Sequence, residues 1–233
     1  MHNIDISLIY RGNESDVGRI DLYDIGRALV GFQRSMALTI HAVINDEVIT
    51  QATSLRGAKI FTSPSIEGSW KVVATVLLAA EGGAGTAPRD TVIGHIITSA
   101  YDYVVSETLG FHVDFSKTIL QQYEDENKKK DKPKTNIQAR LDSVIDKVEV
   151  SIKDMHRPIV ISRTASRASI SPSISPQERG RDILLDSDTY AYIDYSRKED
   201  EENLFIGKIS SYNINTYKGR VYVESERRAV PFI

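Results

Sequence analysis

A chain of 233 residues, 41% hydrophobic and 26% charged, can bury a full core without covalent staples. It has no cysteine, which excludes disulfides, thiolate zinc sites and cysteine nucleophiles and is the usage expected of a cytoplasmic protein. Its net charge of -3 predicts no strong global pull on nucleic acid or anionic lipid.

The opening "MHNIDISLIYRG" has no basic segment followed by an apolar core, so no signal peptide is expected. Within it, "IDISLIY" alternates and reads as a strand. "RGNESDVG" is a turn, after which Asp21 is placed to cap a long helix. There Leu22, Ile25, Leu29, Phe32, Met36, Ile40 and Val43 recur at spacings of three and four. Gly26 and Gly31 weaken that helix locally and permit close approach of another backbone.

"AKIFTSPSIEGSWKVVATVLL" reads as two strands around a turn. Its most apolar window is far shorter than the roughly 20 residues a membrane span needs, so no membrane partner is expected. The glycine-rich "LLAAEGGAGTAPRDT" places Pro88 where a dinucleotide fingerprint needs its third glycine, and it has no lysine for a P-loop. It is expected to be a connection, and no cofactor is expected. Helices should follow over residues 90–109 and 115–127, then an exposed charged loop, "EDENKKKDKPK".

From Ile137, residues Leu141, Val144, Val148, Ile152 and Met155 form a second apolar stripe, and "RPIVIS" reads as a short strand. The serine-, proline- and arginine-rich stretch "SRTASRASISPSISPQERGR" has the composition of a linker. Beyond it, "DILL", "TYAYIDY", "LFIGKISSY", "GRVYV" and "AVPF" read as five short strands of a small β-barrel. The expectation is α+β. Residues 1–165 form a mixed domain with long amphipathic helices on a small antiparallel sheet, 166–181 a linker, and 182–233 the barrel. Two long stripes exceed what a domain with few strands readily buries, which implies a homo-oligomer or docking on an effector subunit.

Two stretches carry candidate chemistry. In "RSMALTIH", Arg34 and His41 are seven apart on one helix face. The segment resembles the Arg-x4-6-His motif of HEPN ribonucleases. The resemblance implies acid–base work by His41 and phosphate stabilisation by Arg34, across a helical dimer. HEPN domains are all-helical, whereas this chain opens with a strand. The solvated flank of an amphipathic helix would carry the same pair.

The second is "GKISSYNINTYKGRVYV". It resembles the Gly-x-Val-x-x-Phe-Asn…Lys-Gly-x-x-x-Ile segment of cold-shock domains, which are small OB-type barrels. The resemblance implies stacking of single-stranded bases on Tyr212 and Tyr217, with Lys218 and Arg220 meeting phosphates. Ser211 stands where a stacking tryptophan is expected, and acidic residues precede the strand. The carboxylates Asp186, Asp188 and Asp194 follow no EF-hand spacing, and no metal site is expected.

"DLYDIGRALVGFQRS" followed by "SPSIEGSW" resembles an uncharacterised bacterial family found as accessory components in anti-phage neighbourhoods. That implies a non-catalytic sensing, scaffolding or regulatory subunit of a bacterial cytoplasmic complex. The alternatives are a ribonuclease using Arg34 and His41, and a single-stranded nucleic-acid binder using the C-terminal barrel.

Overall fold

The computed structural model describes residues 4–51, 55–63, 70–78, 92–111, 137–173, 182–194, 204–213, 217–225 and 228–232. The glycine-rich connection from residue 79, the helix expected over 115–127 and the charged loop after it lie outside these residues.

The chain opens with β1 (Ile4–Arg11), a 3-10 turn at Asn13–Val17, and helix α1 (Leu22–Ile44). Asp21 caps α1 by accepting the Asp24 backbone N–H at 2.9 Å, as the sequence implies. Strands β2 (Ala58–Ser63) and β3 (Trp70–Leu78) form the expected antiparallel hairpin. Helices α2 (Val92–Thr108) and α3 (Ile137–Val160) follow, then β4 (Arg167–Ser173), β5 (Ile183–Leu185) and a short helix α4 (Ser187–Asp194). The last strands are β6 (Gly207–Asn213), β7 (Lys218–Val223) and β8 (Arg228–Phe232).

The fold is mixed α+β. Five strands pair antiparallel in the order β2-β3-β1-β4-β5, and the last three form an antiparallel meander, β6-β7-β8. The inward side chains of β1 (Ile4, Ile6, Leu8 and Tyr10) are fully buried. Above them lie the two stripes: Phe32, Met36 and Ile40 of α1, and Leu141, Val148 and Ile152 of α3, all 2% exposed or less. The Tyr10 hydroxyl donates to the Met155 carbonyl at 2.7 Å and so pins the sheet to α3.

Helices α1 and α3 run antiparallel. Asp24 pairs with Arg157, Arg27 with Asp154, and Gly31 lies against Ser151. A Cβ on Gly31 would collide with the Ser151 carbonyl, so the close approach read from the sequence occurs there. Gly26 faces open space. The two stripes therefore bury each other within one chain, and they no longer call for a partner helix. Leu22, at the start of the first stripe, is exposed. No helix among the described residues is long and apolar enough to cross a membrane.

Three sequence expectations need correction. "RPIVIS" is not a strand: α3 runs through Pro158 to Val160, because Met155, His156 and Ile159 are buried on its inner face. Tertiary burial outweighs the β-branched run and the proline. The stretch expected as a linker holds β4, which pairs with β1 in the register Leu8 opposite Ile170. Its alternation of Ala168 and Ile170 inward is a strand pattern that serine and proline content obscured. Pro172 lies past the residues that β5 pairs, where β4 has no strand partner on that side among the described residues.

Finally, "DILL" joins the first sheet as β5, and "TYAYIDY" is helix α4, not a strand. Asp186 decides the latter: its carboxylate accepts the N–H groups of Asp188 at 3.0 Å and Thr189 at 2.9 Å. The Thr189 hydroxyl accepts the Asp186 N–H at 2.8 Å, a reciprocal cap that starts a helix. Of the five strands expected for a barrel, three remain together.

Candidate functional site

Arg34 and His41 do share α1, and both fasten the segment that leaves it. His41 is 5% exposed. Its Nδ1 lies 3.1 Å from the Asn45 amide, and its Nε2 lies 3.5 Å from Glu47. Asn45 donates to the Arg56 carbonyl at 2.9 Å, and Arg56 reaches Glu47 at 3.6 Å. Arg34 donates to the Thr50 carbonyl at 3.0 Å. Asp46 pairs with Arg140 of α3 at 2.8 Å, with both side chains largely buried. Arg34 and His41, the candidate catalytic residues, thus help to fasten Asn45, Glu47 and Thr50 to the end of α1.

The residues expected to bind nucleic acid separate. Tyr212 is 52% and Tyr217 67% exposed, the latter with left-handed backbone (φ 56°). Tyr212 and Phe232 pair with Gly219 from either side, and their rings are parallel with centroids 6.1 Å apart. The absent side chain at Gly219 leaves room for that contact. Lys218 pairs with Asn213 in the ladder, and its side chain lies outside the described residues.

Arg220 is 6% exposed and is not placed to meet a phosphate in solvent. It enters between α2 and α3, 3.5 Å from the Asp146 carboxylate, and donates to the Glu107 carbonyl at 3.4 Å. The register puts Arg220 on the opposite face of β7 from Gly219, so one face of the meander is anchored while Tyr212 and Phe232 occupy the other.

Around Arg220 lies a concentration of carboxylates that the sequence reading did not single out. Glu107 is 9% exposed, and Asp142 and Asp146 are one turn apart on α3. The Tyr103 hydroxyl donates to Asp142 at 2.7 Å. Burial pushes the Asp142 carboxyl up to about 6, against the Tyr103 hydrogen bond; the charges of Glu107 and Asp146 add to the rise, and Arg220 opposes it. Burial also raises Asp146, with Arg220 again opposing. An i,i+4 acidic pair beside an apolar stripe is the only signal the sequence offered, and it is shared by most solvated helix flanks.

A second missed residue is His156, fully buried on α3. Its Nδ1 donates to the Ile152 carbonyl at 2.8 Å, so its Nε2 accepts from the Thr189 hydroxyl at 2.9 Å. Burial lowers its pKa to about 4, which keeps the ring neutral. A hydroxyl beside a neutral imidazole is the pairing that activates a nucleophile. Here the hydroxyl is 7% exposed and also serves the α4 cap. No group of three His, Asp or Glu among the described residues is arranged to hold a metal ion.

Residues 6–194 match the profile of a family described as Domain of unknown function (DUF7946). The chain belongs to this family. The matched span runs from β1 to the last residue of α4 and leaves the meander outside. No curated protein and no solved structure matches the chain.

Proposed function

We propose that this member of the DUF7946 family is a non-catalytic sensing, scaffolding or regulatory subunit of a larger bacterial cytoplasmic complex, and that its contact face is the meander. One observation carries the reading: Leu204, Phe205, Ile206 and Ile209 are 96%, 52%, 74% and 69% exposed. A run of consecutive large apolar side chains in water is uncommon on a monomer and marks surfaces that a partner covers. The anti-phage setting rests on the resemblance of "DLYDIGRALVGFQRS" and "SPSIEGSW" alone. The small barrel is part of the same proposal: β6, β7 and β8 are its described portion, and a partner strand would complete it.

The test is cross-linking of the full chain in its native host, followed by identification of cross-linked peptides. Cross-links from residues 204–212 to one reproducible protein, or to a second copy, are the expected outcome. The Ile206→Asp/Ile209→Asp variant should lose them while keeping its melting midpoint. A wild-type chain that stays monomeric and forms no such cross-link would remove the proposal.

A second reading, single-stranded nucleic-acid binding, is favoured by the exposed Tyr212 and Tyr217, the parallel Tyr212–Phe232 pair, and the charge of residues 204–233, five Lys/Arg against two Asp/Glu. The ribonuclease reading requires His41 to reach RNA from a ring that is 5% exposed.

A further inference from the structure

The two outer strands of the meander differ as edges. β8 carries Pro231, which has no N–H to offer a neighbour. Proline and charge are common means by which an edge strand resists further pairing. β6 has no strand on its other side among the described residues, and residues 204–209 are exposed without a break. From Leu204 to Gly207 its leading half holds neither proline nor charge.

Hydrogen bonding fixes which backbone groups that edge offers. The Glu224 N–H donates to the Ile206 carbonyl at 3.1 Å, and the ladder continues with Gly207 opposite Val223. In an antiparallel pair, residues that bond the neighbour alternate with residues whose N–H and C=O face away from it. Ile206 faces β7, so the backbone groups of Phe205 and Gly207 face the free side. A further antiparallel strand would bond through them.

The sequence around this edge reads alike from both directions. Phe205 stands between Leu204 and Ile206, then between Asn203 and Gly207, then between Glu202 and Lys208. An antiparallel copy centred on Phe205 sets Leu204 against Ile206, Phe205 against Phe205, and the charge of Glu202 against that of Lys208. It also brings the outward backbone groups of the two Phe205 residues opposite each other, as the ladder requires. Centring on Ile206 instead would set Lys208 against Leu204 and leave its charge unmatched. Facing apolar pairs and opposite charges stabilise a ladder. A surface complementary to itself selects a second copy, related by a two-fold axis.

We propose that two copies of this chain pair antiparallel through the leading half of β6, centred on Phe205, so that their two three-stranded meanders join into one continuous sheet. The proposal rests on the meander being the contact face and names what covers it. Few residues take part, so the association belongs to the weak, concentration-dependent class.

Sedimentation of the full chain across the micromolar to sub-millimolar range should show a monomer–dimer equilibrium. Phe205→Pro removes one outward N–H and leaves the β7 side intact, so it should abolish the dimer at an unchanged melting midpoint. Phe205→Val keeps the N–H and should keep the dimer. Lys208→Glu should weaken it by about tenfold, because both symmetry-related ion pairs become like-charged. Glu202→Lys/Lys208→Glu should restore it.

The chain has no cysteine, so a single introduced one reports the register even where the proline variant fails to fold. Paired Cα atoms about 5.5 Å apart suit a disulfide. Phe205→Cys should therefore give a disulfide-linked dimer on mild oxidation, and Ile209→Cys should not. The proposal is overturned by a wild type that stays monomeric across the range, by a dimer that survives Phe205→Pro in folded protein, or by linkage as ready through Ile209→Cys as through Phe205→Cys. A monomeric chain whose residues 204–212 cross-link to a different protein overturns the second copy and keeps the contact face. A monomeric chain with no such cross-link removes both.

Discussion

The five-stranded sheet and the meander treat their apolar side chains in opposite ways. In the first, β1 hides Ile4, Ile6, Leu8 and Tyr10 completely beneath α1 and α3. In the second, Leu204, Ile206, Ile209 and Tyr217 are each more than two-thirds exposed. Each large side chain left in water forgoes about 1.5–3 kcal/mol of burial. The meander reaches the helices with the deeply buried cation Arg220, whereas the sheet meets them in a continuous apolar core. The family match ends at Asp194, before the meander begins at Gly207. The first region thus buries its large apolar side chains on its own contacts, whereas the second leaves several of them in water.

The strongest break in this comparison comes from the core. Phe32→Ala should destabilise the chain by about 3–5 kcal/mol, because its ring is 2% exposed and the cavity cannot collapse between closely packed helices. Urea denaturation at constant m-value would check it, and a loss below about 1 kcal/mol would mean that the α1–α3 seam is looser than described. Arg220→Ala should act regionally. It leaves Asp146 beside Glu107 and Asp142 without its cation, a loss of about 3 kcal/mol for a buried pair broken on one side. Hydrogen exchange should quicken in β6–β8 and stay slow in β1 and β4. Equal acceleration in both sheets would show that the two regions form one cooperative unit.

The same contrast explains how much could be read in advance. Periodicity gave α1, α3 and the β2–β3 hairpin close to their true bounds, because each is a long element whose burial pattern repeats along its length. It failed where a few residues decide. β4 hides two inward positions, Ala168 and Ile170, among serines and prolines, and α4 is started by the pair Asp186 and Thr189 against a strand-like run of aromatics. The sites were less legible still. The spacing of Arg34 and His41 puts them on one helix, but only the fold reveals that they bind Asn45, Glu47 and Thr50. Asp142, Glu107 and Arg220 lie far apart in the chain, and no local pattern announces that they meet.

Two titrations sharpen the comparison, and their signs oppose. Asp142 has its pKa raised to about 6 from an unfolded value near 3.9. Its contribution is fully present below about pH 4 and is lost as pH rises through 6. His156 has its pKa lowered to about 4 from about 6.5. Its contribution is present above pH 6.5 and is lost as pH falls toward 4. Asp142→Asn should therefore gain about 1 kcal/mol over wild type at pH 7.5 and nothing at pH 4, after discounting for partial solvent access. His156→Gln should remove the acid-side slope. Melting midpoints across pH 4–8 decide, and parallel curves for wild type and both variants would remove the buried character assigned to these groups.

The smallest effect on stability is expected where the comparison matters most for function. Tyr212→Ala and Tyr217→Ala remove rings that are more than half exposed, so each should change stability by no more than about 0.5 kcal/mol. Tyr212 also loses its parallel contact with Phe232, a pairing that adds about 0.5–1.5 kcal/mol when it is buried and less in water. A larger loss would show that the outward face of the meander is a core in its own right. Near-neutral stability joined to loss of the cross-links from residues 204–212 would identify the rings as contact residues. If the same variants instead weaken single-strand binding by about 1–3 kcal/mol per ring, with a steep salt dependence, the meander reads bases and the protein-contact proposal gives way to its alternative. Stability and binding thus separate on this surface, as they cannot in β1, where each apolar side chain belongs to the core.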